Sequence, residues 1–224
     1  DFATRSFKMG LVCGLIASVF IVVQGDLHAR HVTETQPAKL AAMESLWETT
    51  TQTPIHLIAL PDEENEKNAI QIGSIPGVLS FLGHHDFNAE IKGLKAFPKD
   101  ERPPVLLTFL SFRGMVGLGM YFVLMMIIGV WKRNQLLESP GYLKLMLYSI
   151  PLPYLAIQMG WIVAEVGRQP WIVYGIMKTS DAVSPIATSQ VGTSLVAFVL
   201  VYALLGAVGY YLIFKYARKG PEPV

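Results

Sequence analysis

The stretch Val105-Leu-Leu-Thr-Phe-Leu-Ser-Phe-Arg113-Gly-Met115-Val-Gly-Leu-Gly-Met-Tyr-Phe-Val-Leu-Met-Met-Ile-Ile-Gly-Val-Trp131 decides the fold. Its one charge is Arg113. At about 1.5 Å per residue a helix of this length exceeds the roughly 30 Å hydrocarbon core of a bilayer, so the stretch predicts a membrane-spanning helix. Three further apolar runs, Met9 to Gly25, Leu143 to Val166 and Val191 to Phe214, give the same reading. The first is short, and lengthens by using Phe7 and the stem of Lys8. Composition agrees: 52% of residues are hydrophobic, 16% are charged, and mean hydropathy is +0.41, outside the soluble range. A net charge of +1 gives no nucleic-acid signal. The single cysteine, Cys13, sits in an apolar run and reads as packing.

Positive charge sets the expected orientation. Arg5 and Lys8 precede the first span, Lys132, Arg133 and Lys144 lie between the second and third, and Lys215, Arg218 and Lys219 follow the fourth. With four spans these clusters share one side, which the positive-inside rule makes cytoplasmic. The expected architecture is an all-α integral membrane protein with four transmembrane helices and a long outer loop. Its parts are a helix over 1–25, the outer loop 26–104, a helix over 105–131, a cytoplasmic turn 132–142, a helix over 143–166, an outer loop 167–190, a helix over 191–216 and a cytoplasmic tail 217–224. The chain starts at Asp1 without a signal-peptide pattern, and is expected to be a piece of something longer.

Within this frame a few polar groups stand out. Trp161, Glu165 and Arg168 share one face at helical spacing near the end of the third run, closed by Gln169-Pro170-Trp171. A carboxylate and a guanidinium there are costly unless paired or bound, so they mark either a working site or a helix-end ion pair. Arg113 lies about 15 Å deep in the second span and needs an anion, a carbonyl or water. Met115 beside it is either packing or a thioether ligand, and Gly114, Gly117 and Gly119 allow close approach of a helix or a flat cofactor. Pro151 and Pro153 are expected to kink the third span.

In the outer loop, Pro37 is placed to start a helix running to Trp47, with Leu40, Met43 and Trp47 on one face. Lys39 and Glu44 on that helix are five apart, so each is free to meet something else or simply to be solvated. The rest of the loop reads as polar and punctuated by prolines, with Asp62 to Glu66 a solvated turn. His28 with His31, and His84 with His85, are spaced for metal binding but lack supporting ligands; His56 carries no signal.

Three motifs, Lys39-Leu-Ala-Ala-Met-Glu44 followed by Trp47-Glu-Thr, Ser111-Phe-Arg113-Gly-Met115-Val, and Gly160-Trp-Ile-Val-Ala-Glu165-Val-Gly-Arg168-Gln-Pro-Trp171, together resemble subunit I of the cytochrome bd quinol oxidases. The stretch from Trp171 through Tyr174, Gly175, Thr179 and Ala182 to Pro185 resembles it as well. The resemblance implies that Met115 is an axial ligand of a low-spin haem b with Arg113 close by. It also implies that Glu165 ligates a high-spin haem b or haem d, with Trp161 and Arg168 around it. Lys39 and Glu44 would belong to the outer quinol-oxidising Q-loop, here of the short kind. The family's histidine ligands lie in helices before the first one here, and none of the five histidines falls in an expected span. The resemblance therefore implies the C-terminal half of a larger helical haem-binding subunit in a bacterial or archaeal plasma membrane. Its implied partners are the N-terminal half, subunit II, a small accessory subunit, membrane lipid, quinol and oxygen. On the residues alone, a transporter component with an intramembrane Glu/Arg site and a membrane anchor for an electron-transfer complex remain open.

Overall fold

The computed structural model describes residues 2 to 220; Asp1 and the last part of the expected tail, 221–224, lie outside the described residues. Residues up to Ala182 form one compact unit and those from Val183 a second. The described residues hold four helical segments long and apolar enough to cross a membrane. The second unit contributes one of them, α7 (Thr188–Lys219), which ends on Arg218 and Lys219, cations suited to the negative end of a helix dipole.

In the first unit, α1 (Phe2–Thr35) is much longer than the expected Met9 to Gly25. No proline or turn signal interrupts it before Gln36-Pro37. Its polar end is laced by local bonds, Arg30 to Asp26 at 3.3 Å and Thr33 Oγ1 to the Ala29 carbonyl at 2.8 Å. His28 and His31 therefore ride on the last turns of this helix and not in the loop. The chain leaves it where Pro37 disfavours the helical conformation at Gln36, whose φ is −138° and ψ 61°.

Pro37 opens α2 (Pro37–Met43), as expected, but the helix stops four residues short of Trp47. Ser45 turns the chain with a φ of +53°. Leu40, Met43, Leu46 and Trp47 are nonetheless all buried, in a core with Val32, Leu79, Ile91, Leu94, Val105 and Val163. Burying each such side chain is worth about 1.5–3 kcal/mol, enough to fix the segment after α1 onto the membrane helices.

The segment expected as an outer loop, polar and punctuated by prolines, carries strands and a further helix. A two-residue strand β1 (Thr50–Thr51) is followed by a hairpin of β2 (Ile55–Asp62) and β3 (Lys67–Ile75), then by α3 (Val78–His84) and β4 (Glu90–Ile91), which pairs antiparallel with β1. Asp62 to Glu66 does form the hairpin turn, in which Asp62 accepts from Asn65, yet two further carboxylates reach beyond it. Glu63 Oε1 accepts the Leu106 N–H at 2.7 Å, filling one of the orphan donors at the start of α4 (Val105–Trp131). Glu66 meets Lys99 at 2.6 Å and Arg102 at 3.2 Å.

The third membrane segment is broken. α5 (Pro140–Tyr148) and α6 (Leu152–Glu165) are separated at Ser149–Pro151, where the prolines remove helical donors. A short hairpin follows, β5 (Trp171–Val173) with β6 (Met177–Lys178). The helices α4 and α6 approach through glycines: a Cβ on Gly114 would meet Met159 Sδ at 2.6 Å, and one on Gly160 would meet Met115 Sδ at 3.1 Å.

Candidate functional site

Glu44 is the C-cap residue of α2, a helix too short to be stable alone. It is held by what packs around it, and it is 6% exposed. A buried carboxylate needs a partner. Arg113 supplies it: one turn or two below the start of α4, its Nη2 donates to Glu44 Oε2 at 2.5 Å, and its guanidinium lies 5.5 Å from the Phe109 ring centroid. Burial pushes the Glu44 carboxyl up to about 7, against the opposing charge and hydrogen bond of Arg113. The Nε of Arg113 is buried with no hydrogen-bond partner among the described residues.

Lys39, more than a turn earlier on α2, points elsewhere. Its Nζ donates to the Ala164 carbonyl at 3.4 Å, and burial followed by the charge of Arg168 holds its ammonium below the usual lysine range, with Glu165 pulling the other way. Lys39 and Arg168 also line one narrow crevice with Gln169, Trp171 and Tyr174. Glu165 is the last residue of α6, and Arg168 just beyond it donates to its Oε2. Both side chains are part-exposed. Thus the helix-end ion pair does form, and Lys39, bonded to the neighbouring Ala164 carbonyl, feels the charge of both its members.

Two of the expected residues stand apart. Met115 follows Arg113 by two positions, so the two leave α4 on different sides; its sulfur faces Gly160 of α6. Trp161 is 60% exposed on the open side of α6. Three residues that sequence reasoning passed over enter the site. His56 on β2 sits close enough for Arg113 to depress its pKa, after burial, and its Nδ1 pairs with Ser74 Oγ at 2.8 Å. Ser45 and Asn68 bond each other beside Glu44. No local pattern could have flagged Asn68, because its role comes from the hairpin that carries it to the turn after Glu44.

Membrane-spanning helices thus carry a thioether, Arg113 and, at the end of α6, the Glu165–Arg168 pair, roofed by a segment that contributes Glu44 and Lys39. Among proteins of known family, the model for cytochrome bd terminal oxidase subunit I matches residues 1–221. The chain belongs to that family. It is 38% identical to the cytochrome bd ubiquinol oxidase subunit 1 of Bacillus subtilis (strain 168), over 99% of this chain and 50% of that protein. It is 39% identical to a putative cytochrome bd menaquinol oxidase subunit I of the same organism, over 98% of this chain and 49% of that one. The structure of bd oxidase from Geobacillus thermodenitrificans matches with a TM-score of 0.81 at 31% identity, covering 97% of this chain and 50% of that chain. The chain spans about half the length of the curated relatives it matches.

Proposed function

We propose that this chain is the part of a terminal oxidase subunit that oxidises quinol at the outer membrane face and holds haem through Met115 and Glu165. Membership of the family supports an oxidoreductase role. The observation that carries the finer reading is the Glu44–Arg113 contact, which ties an acid of the outer segment to the helix bearing Met115.

The chemistry of the donors fits haem. Met115 offers a thioether for a low-spin haem b, a ligand type that raises the potential of haem iron. Glu165 offers a half-exposed carboxylate for a high-spin haem b or haem d. The unpartnered Nε of Arg113 and the part-exposed Arg168 are suited to propionates, which take charge-assisted bonds from guanidinium. Haem, when bound, supplies the one-electron acceptors and the site at which oxygen is reduced to water.

The chain's own residues act on the quinol. Oxidation releases two protons, and Glu44, with its carboxyl near 7, is poised to take one as a general base. Lys39, carried by the same short helix, orients a ring oxygen. With the outer segment outside the membrane, those protons leave outside and add to the proton-motive force. The remaining half of the subunit, bearing the histidine ligands, together with subunit II, completes the assembly.

Glu44→Ala tests the reading in the assembled complex. Quinol-driven oxygen consumption should fall at least about tenfold while oxidation of an artificial electron donor is retained; equal loss in both assays would make Glu44 structural. Met115→Leu should remove the low-spin haem signal from the reduced-minus-oxidised spectrum, and an unchanged spectrum would overturn that ligand assignment.

A further inference from the structure

The turn that follows Glu44 is built against its own backbone preference. Ser45 is 1% exposed and adopts a φ of +53°, a region that L side chains enter at a cost unless their surroundings hold them there. What holds it is one side chain on the hairpin. Asn68 Oδ1 accepts Ser45 Oγ at 2.5 Å and Trp47 Nε1 at 3.0 Å, and Asn68 Nδ2 donates to the Ser45 carbonyl at 3.0 Å. Turning the amide over would set its NH2 against the indole N–H, so the partners fix its orientation. Asn68 pairs with Pro61 where the register of β2 and β3 shifts, and such irregularities serve to re-aim a side chain. All three bonds end within three residues of Glu44.

We propose that Asn68 is a positioning residue for quinol oxidation: from the hairpin it locks the Ser45–Trp47 turn and so holds the Glu44 carboxylate against Arg113. α2 is too short to do this alone, and the turn has no glycine to adopt the conformation freely. The proposal rests on the reading of Glu44 as the acid that takes the quinol's proton.

The test uses the intact haem-loaded complex and a soluble quinol. Asn68→Leu keeps the branched outline and removes the three bonds. The quinol-driven rate should fall about tenfold, chiefly in kcat, with artificial-donor oxidation and the haem spectrum unchanged. In a Glu44→Ala background the same change should cost less than about twofold, because a residue acting through Glu44 has nothing left to position. Asn68→Asp keeps the oxygen that accepts from Ser45 and Trp47 but sets its second oxygen against the Ser45 carbonyl, so its rate should lie between those of the wild type and Asn68→Leu. Ser45→Ala removes a single bond, and its loss should be smaller and equally absent without Glu44; this variant decides the matter if Asn68→Leu yields no complex. Full activity of both Asn68→Leu and Ser45→Ala, or a loss that multiplies undiminished with that of Glu44→Ala, overturns the proposal while leaving the function of Glu44 intact. Should Glu44→Ala itself leave quinol oxidation unaffected, the functional reading falls first and the proposal with it.

Discussion

Glu44 combines deep burial with a single close cation, and burial wins. Its carboxyl near 7 means that the proton-accepting carboxylate is populated as pH rises through neutrality. The group that faces it is Arg113, and beyond Arg113 lies His56, whose pKa burial and then Arg113 lower. Quinol-driven turnover should therefore climb between about pH 6 and about pH 8, and Glu44→Gln should abolish that limb along with most of the rate; an unchanged limb would assign it to another group. Stability has the opposite sign. A carboxyl whose folded pKa lies above its unfolded value of 4.5 binds its proton more tightly when folded, so its contribution is complete below that value and is lost as pH rises through about 7. The melting temperature of the wild type should drop relative to Glu44→Gln as pH is taken from about 5 to about 8. Some of this was legible beforehand: Lys39 and Glu44 were too far apart to pair with each other, and each did find a partner from another element. Arg113 likewise demanded an anion, a carbonyl or water, and it meets the carboxylate of Glu44. Asn68 and His56 were not legible, since an exposed-looking asparagine or histidine acquires meaning only from what a distant strand brings beside it.

Among the elements, the segment between α1 and α4 depends on contacts between turns more than on regular structure. Leu94 N bonds the Leu46 carbonyl and Lys95 N the Trp47 carbonyl, at 2.8 and 3.0 Å, which presses Gly93 onto the backbone of Trp47 and Glu48. A Cβ there would lie 2.5 Å from the Trp47 carbonyl oxygen and 2.6 Å from that of Glu48. Backbone cannot swing aside as a side chain can, so Gly93→Ala should cost about 1–3 kcal/mol and lower quinol-driven turnover before it alters the haem spectrum. Gly114 provides the contrast. Its neighbour is the flexible end of Met159, so Gly114→Ala should be tolerated within about 1 kcal/mol, whereas Gly114→Leu should force α4 and α6 apart and lower the melting temperature by several degrees. Helices were the readable elements, because an uninterrupted apolar run such as α4 has few other solutions in a membrane. The β2–β3 hairpin was not, since Leu57, Ile58, Leu60, Ile70 and Ile72 remain exposed in this chain and show no clean alternation of buried and solvated positions.

For the molecule as a whole, the direction in which α4 crosses decides the chemistry. The four long apolar segments and the family agree on a multi-pass membrane protein, and with that family established a solute transporter has no observation left in its favour. Which end of α4 faces outward follows only from the charge pattern. α4 is about 40 Å long at about 1.5 Å per residue, enough to cross the core completely. Its first residues are capped by Glu63 of the hairpin turn, and its last lead into the exposed Arg133, Asn134 and Gln135. The two ends must therefore lie on opposite sides of the bilayer. In a Cys13→Ser background, Glu64→Cys at the hairpin turn should react with a membrane-impermeant maleimide added to whole cells. Asn134→Cys should react only after the membrane is permeabilised. The reverse pattern would put the Glu44 site on the cytoplasmic side and remove proton release from the proposed reaction, since quinol protons would then return to the compartment that supplies them. Labelling of both positions in intact cells would instead mean that α4 does not cross. Because Glu44 is tied to α4 through Arg113, fixing the direction of this one helix fixes the side on which the proposed reaction would release the quinol's protons.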